Sequence, residues 1–589
     1  MEDVVKMVNL KINGKDISVP EGTTILEAAR QAGIRIPTLC FLKDINRIGA
    51  CRVCVAEVKG ARSLVASCVF PVSEGMEVTT NSKKVLESRK TTVELLLSDH
   101  HQDCLSCVRN RNCELQTLAD ELGCDSHKYE GDKNQHDLDF STPYLVRDNN
   151  KCVLCRRCVA ACKQYQSIAV IGPNARGFNT HIGSAFSKSL INVPCVGCGQ
   201  CINVCPTGAL HEREEIDSVI AALNDPSKFV IVATAPSVRI GLGEEFGMPI
   251  GTNVEGKMVA ALKAIGFDRV FDVNVTADLT ILEEGTELLS RINGEGVLPL
   301  FTSCSPAWIK YVEHYYPEFI PNLSSCKSPQ QMFGAVCKTY YAEKMGIDPK
   351  NMVTVSIMPC TAKKFEKSRP DQSAAGNGIP DIDYSLTTRE LAKMIKKYGI
   401  MFENLEDDQF DCPLGIASGA GLIFGATGGV MEAALRTVYE ILEQKELKNL
   451  DFMDVRGTKG IKEATVPLHV NGQLVDVKVA VASGLANAKI IMDMMKAGTA
   501  NYHFVEIMSC PGGCVNGGGQ PIKTAEIRNN YDVKAIRAGS IYKMDKNMSL
   551  RKSHANPVVQ ELYKEYFGEP NSHKAHHILH TKYAKRNKY

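Results

Sequence analysis

The sequence lacks several features that would each point to a particular class of protein. No run of eighteen or more apolar residues occurs anywhere in the 589, so no span of a lipid bilayer is expected. The opening Met1-Glu2-Asp3-Val4 has neither the basic nor the apolar region of a secretory signal, which points to a cytoplasmic protein. Charge of one sign is not in excess either. Sixty-eight basic residues face 67 acidic ones, for a formal net charge of +1, so neither nucleic acid nor an anionic membrane is indicated as a partner. What the chain has in quantity is cysteine, 23 of them. In a protein kept in a reducing compartment these do not form a disulfide framework. Most fall in tight CxxC groups, the arrangement of metal ligands. With 44% hydrophobic residues the chain can bury a large core, and its length accommodates three or four domains.

Residues 8–19 alternate apolar and polar around Asn13-Gly14, a strong hairpin signal. Thr24 opens a helical pattern (Ile25, Leu26, Ala28, Ala29) that stops at Gly33. A second helical stretch runs from Val85 to Leu97, and the polar residues 124–142 read as a linker or surface excursion. After about residue 215 the texture changes. Short apolar runs (Phe229–Ala233, Val297–Phe301, Val353–Ile357, Phe504–Ile507) alternate with amphipathic helical stretches, the pattern of an α/β domain. Val466–Val470 and Leu474–Val481, joined across Asn471-Gly472, read as a hairpin added to it. Further cysteine motifs stand just after predicted strand ends, where open α/β sheets place ligands.

Two cysteine runs repeat one spacing, Cys152-x2-Cys155-x2-Cys158-x3-Cys162 and Cys195-x2-Cys198-x2-Cys201-x3-Cys205-Pro206. This is the bacterial-ferredoxin pattern, in which the fourth cysteine of each run serves the other cluster. Cys152, Cys155, Cys158 and Cys205 are therefore assigned to one [4Fe-4S] cluster, and Cys195, Cys198, Cys201 and Cys162 to a second. A structural zinc would need one four-ligand set, not two interleaved runs. Earlier in the chain, Cys40, Cys51, Cys54 and Cys68 follow the hairpin–helix opening, with Gly49 allowing close backbone approach beside Cys51. Ten residues separate the first two of these cysteines where the plant-type spacing has four. The longer loop resembles the ferredoxin module of respiratory complex I and of hydrogenases, with a [2Fe-2S] cluster as the expected occupant and zinc as the alternative. His100-x3-Cys104-x2-Cys107-x5-Cys113 supplies three thiols and a histidine for a third [4Fe-4S] cluster. Neutral imidazole can replace thiolate and raises the cluster potential. Spacing leaves the adjacent His101 open; the resemblance to the same two families favours His100.

Three motifs lie in the second half: Thr302-Ser303-Cys304-Ser305-Pro306-Ala307-Trp308, Met358-Pro359-Cys360-Thr361-Ala362-Lys363-Lys364-Phe365-Glu366, and Met508-Ser509-Cys510-Pro511-Gly512-Gly513-Cys514-Val515-Asn516-Gly517-Gly518-Gly519-Gln520. Read alone, they are cysteines at strand ends among Pro and Gly that let backbone approach a cofactor. Together they resemble the signatures of [FeFe]-hydrogenases, and that resemblance runs the whole chain. It implies an H-cluster, a [4Fe-4S] cubane joined through one thiolate to a di-iron unit carrying CO, cyanide and an azadithiolate. It implies Cys360, Cys510 and Cys514 as cubane ligands, Cys514 bridging, and Lys363 bonding a cyanide. Ala235-Pro236-Ser237 and Gln330 match other pocket neighbours, and Met358 and Met508 match methionines packed around the di-iron unit. For protons it implies a path from Cys304 through Glu284, Ser324, Glu287 and Arg291 to the surface. Without the resemblance, Glu284, Glu287 and Arg291 would read as a solvated helix face with i,i+3 and i,i+4 pairing.

The chain departs from the family at one point. The usual cysteine doublet before the proline, the first moving protons and the second binding the cubane, reads Cys304-Ser305 here. Either Ser305 ligates through oxygen, or Cys304 swings into the ligand role and leaves Ser305 to relay protons.

The architecture expected is a β-grasp [2Fe-2S] ferredoxin-type domain (1–82), a small His(Cys)3 cluster module (83–123), a two-[4Fe-4S] α+β ferredoxin-type domain (140–214) and a large α/β H-cluster domain (215–589). The resemblance implies interconversion of H2 with two protons and two electrons, with ferredoxin as the electron partner. Two further readings stand beside it: the catalytic subunit of a multimeric NAD(P)-linked or electron-bifurcating hydrogenase with an NADH-binding flavoprotein subunit, and a low-turnover redox or H2 sensor. Cys124, Cys326, Cys337 and Cys412 match no cluster pattern and read as buried free thiols. Gly425-Ala426-Thr427-Gly428-Gly429 fits neither phosphate-loop fingerprint and reads as pocket lining. The basic C-terminal tail with His573, His576, His577 and His580 reads as an exposed docking or packing segment rather than a metal site.

Overall fold

The computed structural model describes residues 6–470 and 472–588; Met1–Val5, Asn471 of the second predicted hairpin turn, and Tyr589 lie outside them. The first hairpin pairs Met7–Ile12 with Lys15–Pro20 across Asn13 and Gly14, both with positive φ (51° and 81°) as a tight two-residue turn requires. Alternate residues of Met7–Ile12 are buried, so the strand presents one face to the core. It also pairs in parallel with Met76–Thr79, giving a mixed five-stranded sheet completed by Val55–Val58 and Val65–Ala66. The helix Ile25–Gln31 packs on it, its N-terminus capped by the Thr24 side chain accepting from the Glu27 N–H. The expected second helix extends over Lys83–Ser98, capped by Ser82. Residues 124–142 form no helix or strand. They are not a free linker, because Asp139 pairs with Arg147 at 3.1 Å and accepts from the Leu190 N–H.

Beyond residue 215 the strands among the described residues form an α/β arrangement of two sheets, and the expected hairpin joins one of them. Two four-stranded sheets are present. One runs Arg269–Asp272, Phe229–Thr234, Met352–Met358, Tyr384–Thr387, all parallel. The other runs Leu300–Phe301, Phe504–Met508, Gln473–Ser483, Ile461–Val470, with the last pair an antiparallel hairpin. The predicted strand Val297–Phe301 is cut to Leu300–Phe301, since Pro299 has no N–H to give the ladder. Four strand ends point to one place. Thr234 leads to Ala235-Pro236-Ser237, Phe301 to Cys304-Ser305, Met358 to Cys360, and Met508 to Cys510.

The ferredoxin-like unit packs directly on that place. In each of its cysteine runs the residues before the second cysteine and just after it are left-handed: Leu154 and Arg156 in the first, Gly197 and Gly199 in the second. The two glycines are not interchangeable with the first run's residues, because a Cβ on Gly199 would meet Thr361 Oγ1 at 2.4 Å and the Gly518 Cα at 2.9 Å. Gly199→Ala should therefore cost about 1–2 kcal/mol for the left-handed backbone and about 1–3 kcal/mol more for overpacking. Thermal unfolding checks this; a native midpoint would refute the close fit.

Candidate functional site

The four N-terminal cysteines converge. The thiols of Cys40 and Cys51 hydrogen-bond each other, as do those of Cys54 and Cys68, and three of the four are buried. The hydrogen bond from Cys40 draws Cys51 down to about 6. In the next module His100 is 8% exposed, and its Nδ1 has no hydrogen-bond partner among the described residues. Burial, assisted by the Lys151 cation, pushes it down to about 4, so the ring is neutral, the form that ligates metal. His101 instead turns its Nε2 to the Asn134 carbonyl at 3.3 Å. The side chain of Cys107 lies against Gly208, where an added Cβ would stand 2.6 Å from its sulfur. The second module thus meets the end of the ferredoxin-like runs.

All eight cysteines of the two repeated runs line one enclosed cavity. Their mutual electrostatics follow the interleaving: Cys152 responds to Cys205, and Cys162 to Cys195. Burial raises Cys162 to about 11 and Cys152 to about 12, so both are neutral thiols unless a nearby cation stabilises thiolate. Side chains distant in sequence join the modules. Asn46 donates to the carbonyls of both Cys40 and Cys155, at 2.7 and 3.0 Å. Arg157, 1% exposed, makes a bidentate pair with Glu114 at 2.8 and 2.9 Å.

The cavity at the strand ends is lined by Pro236, Cys304, Ser305, Gln330, Met358, Cys360, Lys363, Met508, Cys510 and Cys514, with Phe424 and Gly425 opposite. Cys198 of the ferredoxin-like unit reaches the same wall, and the Gln200 side chain lies near enough to Cys510 to favour its thiolate. Gln200 also donates to the Asn516 carbonyl at 2.8 Å and Asn203 to that of Gly517 at 2.9 Å. Neither residue was singled out by spacing. Ser237 stands behind Pro236, fully buried, its Oγ without a partner among the described residues. Lys363 Nζ reaches the Cys304 carbonyl (3.2 Å), Ser328 Oγ (2.8 Å) and Glu366 (2.9 Å). Gly513 has φ 96°, and a Cβ there would meet the Thr427 nitrogen at 2.5 Å, so glycine is required for the Cys510–Cys514 loop to close on the wall. Four thiols of the catalytic half (Cys304, Cys360, Cys510 and Cys514), a lysine, and a wall otherwise mostly of apolar side chains fit an iron–sulfur-linked group that carries small anionic ligands, with the orphaned Ser237 hydroxyl just behind Pro236.

Cys304 and Ser305 face different neighbours. Burial raises the Cys304 thiol, and the next influences on it are Glu284 and Cys514. Ser305 Oγ lies 2.8 Å from Ser509 Oγ and accepts from the Ser509 N–H at 3.3 Å, on the side of Cys510. Behind Cys304 runs a line of polar groups. Glu284 is buried and raised to about 8, chiefly by desolvation, with the Ser324 hydroxyl opposing and the Glu287 carboxylate adding. Ser324 Oγ donates to Glu287 Oε2 at 3.0 Å, and Arg291 donates to Glu287 Oε1 at 2.6 Å. The helix Asn274–Ile292 carries the two glutamates and the arginine, spaced i, i+3, i+7, so they form one ladder. Glu284 is 2% exposed, which rules out a solvated helix face at its position.

Two of the unassigned thiols, Cys326 and Cys337, are buried as expected. Cys124 is only half-buried and Cys412 is exposed, the latter in a surface loop before Pro413. The C-terminal tail packs: His580 is 7% exposed and bonds Glu283 at 3.0 Å and Ser325 at 2.8 Å. Among the described residues no helix is long and apolar enough to cross a membrane.

Five family models match in series. The first three are the 2Fe-2S iron-sulfur cluster binding domain (5–83), the NADH-ubiquinone oxidoreductase-G iron-sulfur binding region (89–128) and the 4Fe-4S dicluster domain (151–209). After them come the C-terminal domain of the iron only hydrogenase large subunit (228–518) and the iron hydrogenase small subunit (531–586). The chain is 47% identical over 593 residues to the NADP-reducing hydrogenase subunit HndD of Solidesulfovibrio fructosivorans, covering 99% of this chain and 100% of that one. It is 46% identical over 586 residues to iron hydrogenase 1 of Clostridium pasteurianum, covering 98% and 100%. Among solved structures, an apo [FeFe]-hydrogenase HydA1 from Chlamydomonas reinhardtii is 42% identical with a TM-score of 0.57, covering 63% of this chain and 99% of that one. The cofactors are accordingly [2Fe-2S] and [4Fe-4S] clusters and an H-cluster. A multidomain chain with these modules in this order, similar end to end to two named hydrogenases, belongs to the [FeFe]-hydrogenase (iron-only hydrogenase) family.

Proposed function

We propose that the chain interconverts H2 with two protons and two electrons at the cavity where the four strand ends meet. The observation that carries this reading is the row of Cys304, Glu284, Ser324, Glu287 and Arg291, hydrogen-bonded from Ser324 through Glu287 to Arg291, which leads away from the cavity that Cys360, Cys510 and Cys514 also line. Hydrogen chemistry needs protons delivered into a dry site, and relays of groups that both give and take them are how protein does that. The H-cluster, when bound, would supply the redox metal at which protons and electrons combine. The residues do the rest. Cys360, Cys510 and Cys514 would hold its iron–sulfur cubane, Lys363 and Ser237 would be the donors to its anionic ligands, and Met358, Met508 and Gln330 would shape its pocket. Cys304 would exchange protons with Glu284, a carboxyl still protonated at neutral pH.

Electrons travel by the other face. The mixed five-stranded sheet with one helix supports a β-grasp [2Fe-2S] domain held by Cys40, Cys51, Cys54 and Cys68, and the neutral, buried His100 supports a His(Cys)3 cluster with Cys104, Cys107 and Cys113. The path runs from these through the two ferredoxin-type clusters to the cavity at Cys198 and Gln200. Domain limits of 1–82, 83–123, 140–214 and 215–589 fit these modules. Similarity over full length to a subunit named NADP-reducing favours a multimeric, NAD(P)-linked setting over a free ferredoxin partner. Both are tested on purified protein: hydrogen evolution from reduced viologen, with CO and cyanide infrared bands as the check on the cofactor, and co-purification with an NADH-binding flavoprotein subunit. Infrared bands without turnover would leave a sensor; no bands would remove the H-cluster reading.

A further inference from the structure

At the outer end of the acid line, three side chains from distant parts of the chain offer different ligand atoms to one point. Glu287 comes from the helix Asn274–Ile292, Cys326 from the loop after Ser324, and His580 from the C-terminal tail. One ligand atom from each lies within 4.8 Å of the others. Cys326 and His580 are buried and Glu287 is half-buried. We infer that Glu287, Cys326 and His580 form a site for a divalent transition-metal ion of zinc's class, which when bound closes the proton line.

The geometry is near what such an ion needs. Cys326 Sγ stands 3.8 Å from Glu287 Oε2. Bonds of about 2.3 Å to sulfur and about 2.0–2.2 Å to oxygen at a tetrahedral angle place the two ligand atoms roughly 3.5 Å apart. A thiolate, an imidazole and a carboxylate are a zinc-type donor set, while magnesium and calcium take oxygen alone. Three protein ligands leave a fourth position for water. The outer contacts are in place. Ser325 Oγ and Glu283 take the two ring nitrogens of His580 at 2.8 and 3.0 Å, so an ion displaces one of them while the other orients the ring, and Arg291 occupies Glu287 Oε1, leaving Oε2, which Ser324 Oγ shares, toward the sulfur. Oriented outer partners of this kind fix ligands in known metal sites. Glu283, about one helical turn from Glu287, adds a second carboxyl group at the spot, while Arg291 already pairs with Glu287 at 2.6 Å. Exposed His576 stacks on His580 with ring centroids 4.5 Å apart, marking a way in from solvent.

Closure rests on the proton route proposed above. Glu287 Oε2 is the atom that accepts from Ser324 Oγ. An ion on that oxygen takes the lone pair the proton must use.

The test uses holoenzyme with zinc chloride, read two ways. Zinc K-edge absorption should show one sulfur and one imidazole on one bound ion, and hydrogen evolution should fall at least about tenfold. In Cys326→Ala and in His580→Gln, each checked for native cluster content, both signals should vanish while turnover without zinc is kept. Bound zinc with those ligands and unchanged turnover would support the site and overturn the relay through Glu287. Zinc uptake unchanged in both variants, or equal inhibition of wild type and variants, would overturn the site.

Discussion

Glu284→Gln is expected to lower hydrogen turnover by at least about a hundredfold, the lower end of what a positioned proton donor contributes. Iron content and the CO and cyanide infrared bands should stay native. Glutamine keeps the size of the side chain and can still meet the Ser324 hydroxyl, so the pocket has no reason to collapse. It cannot release a proton. The native carboxyl is 2% exposed, its Oε1 has no partner among the described residues, and burial raises it to about 8. The sign follows from that direction. An acid raised to about 8 is mostly protonated at pH 7 and can donate; above pH 8 it ionises and cannot. Hydrogen evolution by the native protein should therefore decline as pH rises through that value. Turnover in the glutamine variant within a few-fold of native would break the relay at its second member. Loss of the infrared bands would instead assign Glu284 a structural part.

The local features were legible and the long-range ones were not. Asn13-Gly14 announced its hairpin, and CxxC spacing announced three cluster modules, because turn chemistry and ligand loops are set by neighbours in sequence. The division of the catalytic half into two sheets was hidden. Met352–Met358 and Phe504–Met508 are both short buried strands ending in methionine, and nothing local says that the first pairs with Phe229–Thr234 and the second with Gln473–Ser483. The same limit hid the joints. Asn46 reaches Cys155 across 109 residues, Arg157 reaches Glu114 across 43, and His580 reaches Glu283 across 297. Read as sequence, the tail histidines looked peripheral; the fold carries His580 to Glu283, on the helix that also bears Glu284 and Glu287. The catalytic cavity was legible only because its cysteines stand at strand ends and their motifs resemble a known family. Its partners Cys198 and Gln200 come from another module, and no spacing rule links them to Cys510.

Cys304→Ala and Ser305→Cys are expected to separate the roles that the Cys304-Ser305 pair leaves open. Cys304 feels Glu284 and Cys514, whereas Ser305 bonds Ser509 beside Cys510. On the proposed reading the thiol, which also faces Glu284, serves the proton side and the hydroxyl, beside Cys510, the cubane side. Cys304→Ala should therefore lose about a hundredfold or more in turnover, as the Glu284 variant does, with its cubane iron and electron-spin signal intact. Ser305→Cys returns a thiolate to the cubane side. Replacing a hard oxygen ligand by sulfur should raise the cubane's midpoint potential while turnover stays within an order of magnitude of native. A redox titration followed by electron spin resonance reads that shift directly. The opposite pattern is equally clear. Were Cys304→Ala to lose cubane iron, and the double variant with Ser305→Cys to regain it, Cys304 would be the fourth ligand and the hydroxyl of Ser305 the first proton carrier. The two assignments predict different variants to be iron-deficient, so one pair of proteins decides between them.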